Sequence, residues 1–406
     1  MQETLSHYFG YKSFRPGQEE IITKILNHQH TLGVLPTGGG KSICYQVPGL
    51  MQGGTTIVIS PLISLMKDQV DQLQAMGIQA AYLNSSLTHK QQKEIEERIK
   101  RGAIQFLYVA PERFENTFFL NLLRKIKIPL IAFDEAHCIS KWGHDFRPSY
   151  QSVIQKVFTL PQNFTIVALT ATATAEVQQD IMSKLSIGQN DVVKTSTKRR
   201  NLIFKVNPTY QRQKFVVDYV ANHEGQAGII YCSTRKQVEE LHEALNSEKI
   251  KSTIYHAGLT NKERIEAQND FLYDRVEVVI ATNAFGMGID KSNVRYVIHY
   301  NMPGDLESYY QEAGRAGRDG LKSECILLFS ERDKGLHEYF ITVSQADDDY
   351  KDKMGEKLTK MIQYTKTKKC LEATIVHYFE PNENLEECNQ CSNCIQENKT
   401  LSLIHI

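Results

Sequence analysis

Near the N-terminus, Pro36-Thr37-Gly38-Gly39-Gly40-Lys41-Ser42 follows a mostly apolar, β-prone run, Thr31 to Leu35. A buried strand that enters three glycines and then helix-compatible residues has few ways to fold. Glycine lets backbone N–H groups wrap an anion without side-chain clashes, and the next helix start adds its positive dipole end. In this reading Thr37, Gly38, Gly39 and Gly40 line the cradle. Lys41 reaches the β- and γ-phosphates of a nucleotide, and Ser42 ligates Mg²⁺. Leu35 stands where the strict phosphate-loop pattern has its first glycine. Taken alone, the segment is also compatible with a Gly-rich turn beside a surface lysine.

A second motif narrows this. Leu130-Ile131-Ala132-Phe133 feeds directly into Asp134-Glu135-Ala136-His137. A strand ending in two carboxylates places them at the carboxyl edge of a parallel sheet, where such folds bind ligands. Asp134 would hold Mg²⁺ through water, and Glu135 would orient or deprotonate an attacking water. Together the motifs imply a protein that binds and hydrolyses a nucleoside triphosphate.

The chain of 406 residues has room for two or three domains. Its formal net charge is zero, so any polynucleotide contact must come from a local patch. No stretch approaches the ~18 apolar residues of a membrane span. The first ten residues lack a charged-then-apolar signal pattern, so a reducing, cytoplasmic location is expected.

Strand-like and helix-like runs alternate along the chain, the pattern of α/β units. Strands are expected near Thr31–Leu35, Thr56–Ile59, Ala80–Leu83, Ile104–Val109, Leu130–Phe133 and Thr165–Leu169. The basic run 193–201 reads as a hinge. A second series follows at Leu202–Val206, Gly228–Tyr231, Thr253–Tyr255, Val276–Ile280, Val294–His299 and Cys325–Phe329. From about Glu331 the pattern is helical, then cysteine-rich.

Phe14-Arg15-Pro16-Gly17-Gln18, Pro36–Ser42, Ser60–Met66, Asp134–His137, Leu169–Thr172 and Gln311–Arg318 closely resemble, in order and spacing, the motifs of RecQ DNA helicases. The resemblance implies two tandem RecA-like parallel-sheet domains, 1–195 and 196–331. It also implies a small helical zinc-binding module, 332–399; the remaining tail, 400–406, resembles nothing in the family and is a candidate non-native segment. ATP is the implied nucleotide, recognised by Gln18 through the donor and acceptor of its amide, with Tyr11 or Arg15 stacking on the base. Cys138–Pro148 resembles the family's aromatic-rich loop and contains the single tryptophan of the chain. Trp142 and Phe146 would stack bases, with His144 and Arg147 beside them, each base worth roughly 1–3 kcal/mol. His137 would bridge the ATP site to this loop or to Thr170 and Thr172. Gln311, Arg315 and Arg318 would close over the triphosphate. The two arginines lie one turn apart if the segment is helical, and the family pattern favours Arg318 as the finger. Asp290 is a candidate for the ribose or for an interdomain contact.

Cys370, Cys388, Cys391 and Cys394 form a C-x17-C-x2-C-x2-C pattern. Four soft thiolates suit structural Zn²⁺, with Zn–S near ~2.3 Å. A redox pair or an iron–sulfur cluster is the alternative. The other four cysteines are scattered and read as free thiols. A dozen residues follow Cys394, where longer members of the family continue into a winged-helix domain. The expected activity is ATP-driven 3′ to 5′ movement on single-stranded DNA with duplex unwinding, in repair and recombination. The expected setting is the bacterial nucleoid, with a monomeric protein and a single-strand-binding protein as candidate partner. An RNA helicase or a scaffold with a degenerate ATP site are the competing readings. The Trp142 loop and the cysteine cluster argue against the first, and Lys41, Ser42, Asp134, Glu135 and Arg318 against the second.

Overall fold

The computed structural model describes residues 1–286, 291–383 and 386–396. Asp290 and the expected tail 400–406 lie outside them. Backbone contacts divide the chain after Ser196 into two units.

The first unit is built on seven strands: β1 (Thr31–Val34), β2 (Thr56–Ile59), β3 (Ala80–Leu83), β4 (Phe106–Val109), β5 (Leu130–Phe133), β6 (Thr165–Thr170) and β7 (Val192–Lys194). They form one sheet in the order β3-β4-β2-β5-β6-β1-β7, and every pairing is parallel. β1, β2, β4, β5 and β6 are buried at every position. Near-continuous apolar runs are what a parallel sheet covered on both faces requires. The short edge strand β7 overlaps the start of the run read as a hinge. Val192 and Val193 pair with Leu32 and Gly33, and Val193 is buried. Two apolar residues beside a run of cations gave too little periodic signal to reveal it.

Strand order is what assembles the site. β1 and β5 flank β6, so their carboxyl ends lie one strand apart, with Thr170 at the end of β6 between them. The helix Ile43–Gln52 follows the glycine loop and is buried along most of its length.

The second unit has six strands: β8 (Leu202–Pro208), β9 (Ala227–Tyr231), β10 (Ser252–Tyr255), β11 (Val278–Ala281), β12 (Val294–His299) and β13 (Ser323–Phe329). Their order is β10-β11-β9-β12-β13-β8, again parallel throughout. The helices Glu331–Val343, Asp348–Lys366 and Leu371–Phe379 follow. Leu358, Met361, Leu371 and Ile375 join one apolar cluster with Phe204, Val297 and Leu327 of the sheet. The helical segment therefore shares its core with the second sheet. A buried ion pair, Lys357 to Glu307 at 3.0 Å, ties the Asp348–Lys366 helix to the helix Leu306–Ala313.

Gly228 on β9 sits directly opposite Tyr296 on β12, and a Cβ there would lie 1.9 Å from the Tyr296 ring. Tyr296 is fully buried and cannot swing away. Gly228→Ala is expected to destabilise the second unit by about 1–3 kcal/mol, read as a lower melting temperature.

Candidate active site and metal centre

The glycine loop needs its glycines. Gly38 and Gly40 have φ of 82° and 72°, in the left-handed region. A Cβ at Gly39 would meet the Pro36 carbonyl at 2.8 Å, and one at Gly40 would meet Gln18 Nε2 at 2.5 Å. Ile43 and Cys44 donate back to the Gly40 and Lys41 carbonyls at 3.2 and 3.0 Å, so the helix opens on tight turns. Leu35, at the position of the missing first glycine, is buried and donates its N–H to the Thr170 carbonyl at 3.0 Å. It thereby extends the contact between β1 and β6.

Gln18 is buried against this loop. Its Nε2 donates to the Gly39 and Gly40 carbonyls at 3.0 and 2.9 Å, and its Oε1 accepts from the Arg15 N–H at 2.9 Å. The Arg15 guanidinium donates to the Gly38 carbonyl. Both ends of the Gln18 amide are thus engaged by the protein, where the sequence reading had them facing adenine. Gln18 and Arg15 brace the phosphate loop, and Tyr11 is exposed nearby in sequence.

Asp134 closes β5 and is buried. Burial pushes its carboxyl up to about 7, Glu135 beside it pushes the same way, and the Lys41 ammonium opposes both. The Glu135 N–H donates to Asp134 Oδ1 at 3.0 Å, and Tyr150 Oη donates to the Asp134 carbonyl at 3.1 Å. Glu135 adopts the left-handed conformation (φ 47°), an uncommon state for a residue with a side chain. Two adjacent carboxylates against one lysine form a donor set that suits a divalent cation. Asp134 and the Ser42 hydroxyl are the residues that would hold Mg²⁺.

His137 links three groups. Its Nδ1 lies 3.1 Å from Thr170 Oγ1 and 3.4 Å from Glu135 Oε2, and its ring stacks on His144 at 4.1 Å. Thr170 Oγ1 in turn donates to the Thr172 carbonyl at 3.0 Å. The stack depends on Gly143, where a Cβ would fall 2.2 Å from the His137 carbonyl. The aromatic-rich loop is therefore folded onto the acidic tip. Trp142 is half-buried against the first unit's core with Lys141 Nζ 5.4 Å from its ring, and Phe146 is also half-buried. Arg147 holds Asp145 through Nε and Nη2 at 3.1 and 3.0 Å, and donates to the Pro61 carbonyl at 3.0 Å. The loop is more anchored than its polar composition suggested.

In the second unit the helix ends at Ala313, so Arg315 and Arg318 lie in the turns beyond it and not on a helical face. Their environments differ. Arg315 is buried beside Tyr231, whose Oη donates to the Phe285 carbonyl at 2.7 Å. Arg318 and Gln311 are half-buried. Arg199 donates to the carbonyls of Gly314, Ala316 and Gly317 at 2.8–3.0 Å and clamps the segment. Glu312 pairs with the buried His299 at 2.8 Å. Arg199, Tyr231, His299 and, in the first unit, Tyr150 are site-supporting residues that the sequence reading passed over. The one signal for Tyr231 and His299 is a polar residue closing an apolar strand.

The four Sγ atoms of Cys370, Cys388, Cys391 and Cys394 lie within 4.8 Å of one another. Amide N–H groups point at them: Cys388 N to Cys370 Sγ and Cys391 N to Cys388 Sγ at 3.3 Å, and Leu371 N to Cys391 Sγ at 3.4 Å. Hydrogen bonds from Cys370 and Cys388 hold Cys391 on the thiolate side, while burial pushes Cys394 up to about 12. Closely gathered sulfurs with amide donors behind them fit tetrahedral Zn²⁺, with every position filled by protein. A second group, His137, Cys138 and Asp145, is also close, but Arg147 already neutralises Asp145.

Two parallel α/β units, one carrying a phosphate loop with an acidic strand tip and the other an arginine-bearing turn, define a helicase core. The DEAD/DEAH box helicase model matches residues 15–181, the helicase conserved C-terminal domain 211–320, and RecQ zinc-binding 331–395. The chain is 48% identical over 97% of its length to "ATP-dependent DNA helicase RecQ" of Bacillus subtilis, of which it covers 66%. It is 43% identical over 85% of its length to "Probable ATP-dependent DNA helicase RecS" of the same organism, of which it covers 70%. The fold of S. cerevisiae Dbp5 bound to RNA superposes with a TM-score of 0.68 at 20% identity, over 88% of this chain and 97% of that one. The chain belongs to the RecQ family of helicases. It spans about two thirds of the length of the curated relatives it matches.

Two outcomes are expected. Asp134 titrates higher in the fold than in an unfolded chain, so between its ordinary value and about 7 stability falls as pH rises. Without added magnesium, Asp134→Asn should melt above the parent protein at about pH 8, and the gap should narrow by a few degrees towards about pH 5. Metal analysis should find about one zinc per chain, and Cys391→Ser should lose most of it and melt earlier, because Cys391 sits in the second unit's core.

Proposed function

We propose that this chain is the motor portion of an ATP-dependent DNA helicase, turning ATP hydrolysis into 3′ to 5′ movement along single-stranded DNA. The observation that carries the reading is the unbroken contact from Asp134 and Glu135 through His137 to the stacked His144. A group that senses the triphosphate and a loop rich in base-stacking side chains are one packed cluster. The names of the relatives, ATP-dependent DNA helicases, support DNA as the polymer.

In this mechanism the loop N–H groups and Lys41 bind the β- and γ-phosphates. Bound Mg²⁺, held by Ser42 and Asp134, would supply charge neutralisation at the transferring phosphoryl group. Glu135 orients the attacking water and takes its proton. Arg318 is the finger that stabilises charge on the phosphoryl group, worth about 10³–10⁵ in rate in characterised enzymes of this type. Arg315 is a positioning residue, since its guanidinium is buried beside Tyr231. Trp142, His144, Phe146 and Arg147 meet the strand. Occupancy of the loop shifts His144, then His137, then Glu135. On the resemblance alone, the reading extends to a monomer at the nucleoid beside a single-strand-binding protein, acting in repair and recombination.

ATP turnover measured with single-stranded DNA, duplex and RNA side by side tests this. Single-stranded DNA should raise the rate most. Lys41→Ala should abolish turnover, by roughly 10³-fold or more. Trp142→Ala should keep the basal rate and lose most of the stimulation. A Trp142→Ala protein stimulated like its parent would make the loop structural, and a parent indifferent to any polynucleotide would end the motor reading.

A further inference from the structure

The helix Glu331–Val343 buries only one residue along its length, Asp333, which pairs with Arg212. Its apolar residues Leu336, Tyr339, Phe340 and Val343 are spaced i, i+3, i+4, i+7 and so form a single stripe. Tyr339 is 61% exposed, Phe340 45% and Val343 54%. The stripe does not face the helix's own neighbour. Lys334, Glu338, Ile341 and Thr342, from the other side of the helix, share a groove with Leu358 and Ile362 of the Asp348–Lys366 helix. At its N-terminal end the stripe continues into a cavity of about 970 Å³, which Leu336 lines together with the exposed Tyr210. Two aromatic rings, 6.1 Å apart, thus stand in water beside an open cavity. Large exposed apolar side chains aligned on one helix mark interaction sites.

Charge selects the occupant. Between Glu331 and Asp352 there are seven carboxylates and three Lys or Arg; Glu331, Asp333 and Glu338 are paired with Lys366, Arg212 and Lys334, which leaves the acidic run Asp347 to Asp352 as the local excess of charge. Asp347, Asp348, Asp349 and Asp352 are exposed where the stripe ends. Such a surface repels phosphate and attracts cations. We propose that the Leu336–Tyr339–Phe340–Val343 stripe is a docking site for a basic amphipathic helix of another protein. Its apolar anchors, also spaced i, i+3, i+4, i+7, lie along the stripe, and its Lys or Arg side chains reach Asp347–Asp349. The aromatic pair is the energetic centre, since large rings dominate such interfaces.

The test uses the full chain and a fluorescein-labelled synthetic helix of ~18 residues, with leucines at i, i+3, i+4 and i+7 and lysines elsewhere. The same composition scrambled, and the same pattern with glutamate for lysine, are the comparison peptides. Fluorescence anisotropy should show saturable binding of the patterned basic helix alone. The double variant Tyr339→Ser/Phe340→Ser should weaken it at least ~10-fold. Asp348→Lys/Asp349→Lys should weaken it several-fold and flatten its salt dependence. Zinc content should not change in either variant, and the aromatic variant should melt with the parent, since Tyr339 and Phe340 are exposed. Equal binding of the scrambled peptide, equal binding by the aromatic variant, or displacement by duplex DNA would overturn the proposal. So would self-association of the parent chain that the aromatic variant abolishes, because the stripe would then be a contact between copies.

Discussion

Asp134 carries its carboxyl in a place with almost no water, in the residue next to Glu135 with its second carboxylate, and with a single lysine opposing them. Removing a charge from water is costly unless opposite charge is supplied. Most of the first unit can be understood as the means of supplying it. The strand order brings the end of β1, with its glycine loop and Lys41, to within one strand of the end of β5. No local arrangement could do so, since about ninety residues separate Lys41 from Asp134. Gln18 and Arg15 hold the loop from behind, and Tyr150 holds the Asp134 backbone. The result is a surplus of negative charge that a divalent cation relieves, next to a cradle of N–H groups that a triphosphate fills. Each would favour the other's arrival.

The second unit solves a different problem, that of presenting one arginine while burying another. Arg315 and Arg318 sit three residues apart in a turn, yet only Arg315 is enclosed. Arg199 fixes the turn by taking three of its carbonyls, and the Arg315 guanidinium lies buried beside Tyr231. The sulfur cluster belongs to the same framework. Cys370, Cys391 and Cys394 pack in one apolar cluster with Phe204 and Leu327 of the sheet. A metal there stabilises the second unit as a whole and does not merely close a C-terminal loop, because the thiols stand in its core.

Much of this was legible beforehand, for definite reasons. Four-residue apolar runs such as Thr56–Ile59 and Leu130–Phe133 are readable because a strand buried on both faces tolerates nothing else. The glycine loop is readable because φ above zero at Gly38 and Gly40 admits few other residues. What stayed hidden is where long side chains point. The sequence offered Gln18 an adenine edge, and the fold spends its amide on loop carbonyls. It set Arg147 beside the stacked bases, and the fold also engages it with Asp145 and Pro61. Whether Arg315 faces in or out depends on Tyr231, eighty-four positions earlier, which no local pattern encodes. The edge strand β7 escaped notice because its partner, β1, is distant in sequence. The apolar stripe on Glu331–Val343 has ordinary helical spacing, so only its exposure in the fold distinguishes it from a core-facing one.

The link between the acidic tip and the aromatic-rich loop rests on close packing more than on strength. Gly143 brings the loop backbone so near the His137 carbonyl that a methyl group could not be inserted. The His137 and His144 rings lie nearly parallel, 15° apart. A displacement of His144 cannot be absorbed by empty space, because there is none between the rings. It must move His137, whose Nδ1 faces both Glu135 and Thr170. Glu135 starts from an uncommon left-handed conformation that its neighbours must maintain, so a modest change in them is enough to alter its aim. A soft, well-hydrated contact would dissipate the same displacement. A closely packed one passes it on towards the carboxylate, as the proposed coupling of a polymer to hydrolysis would require.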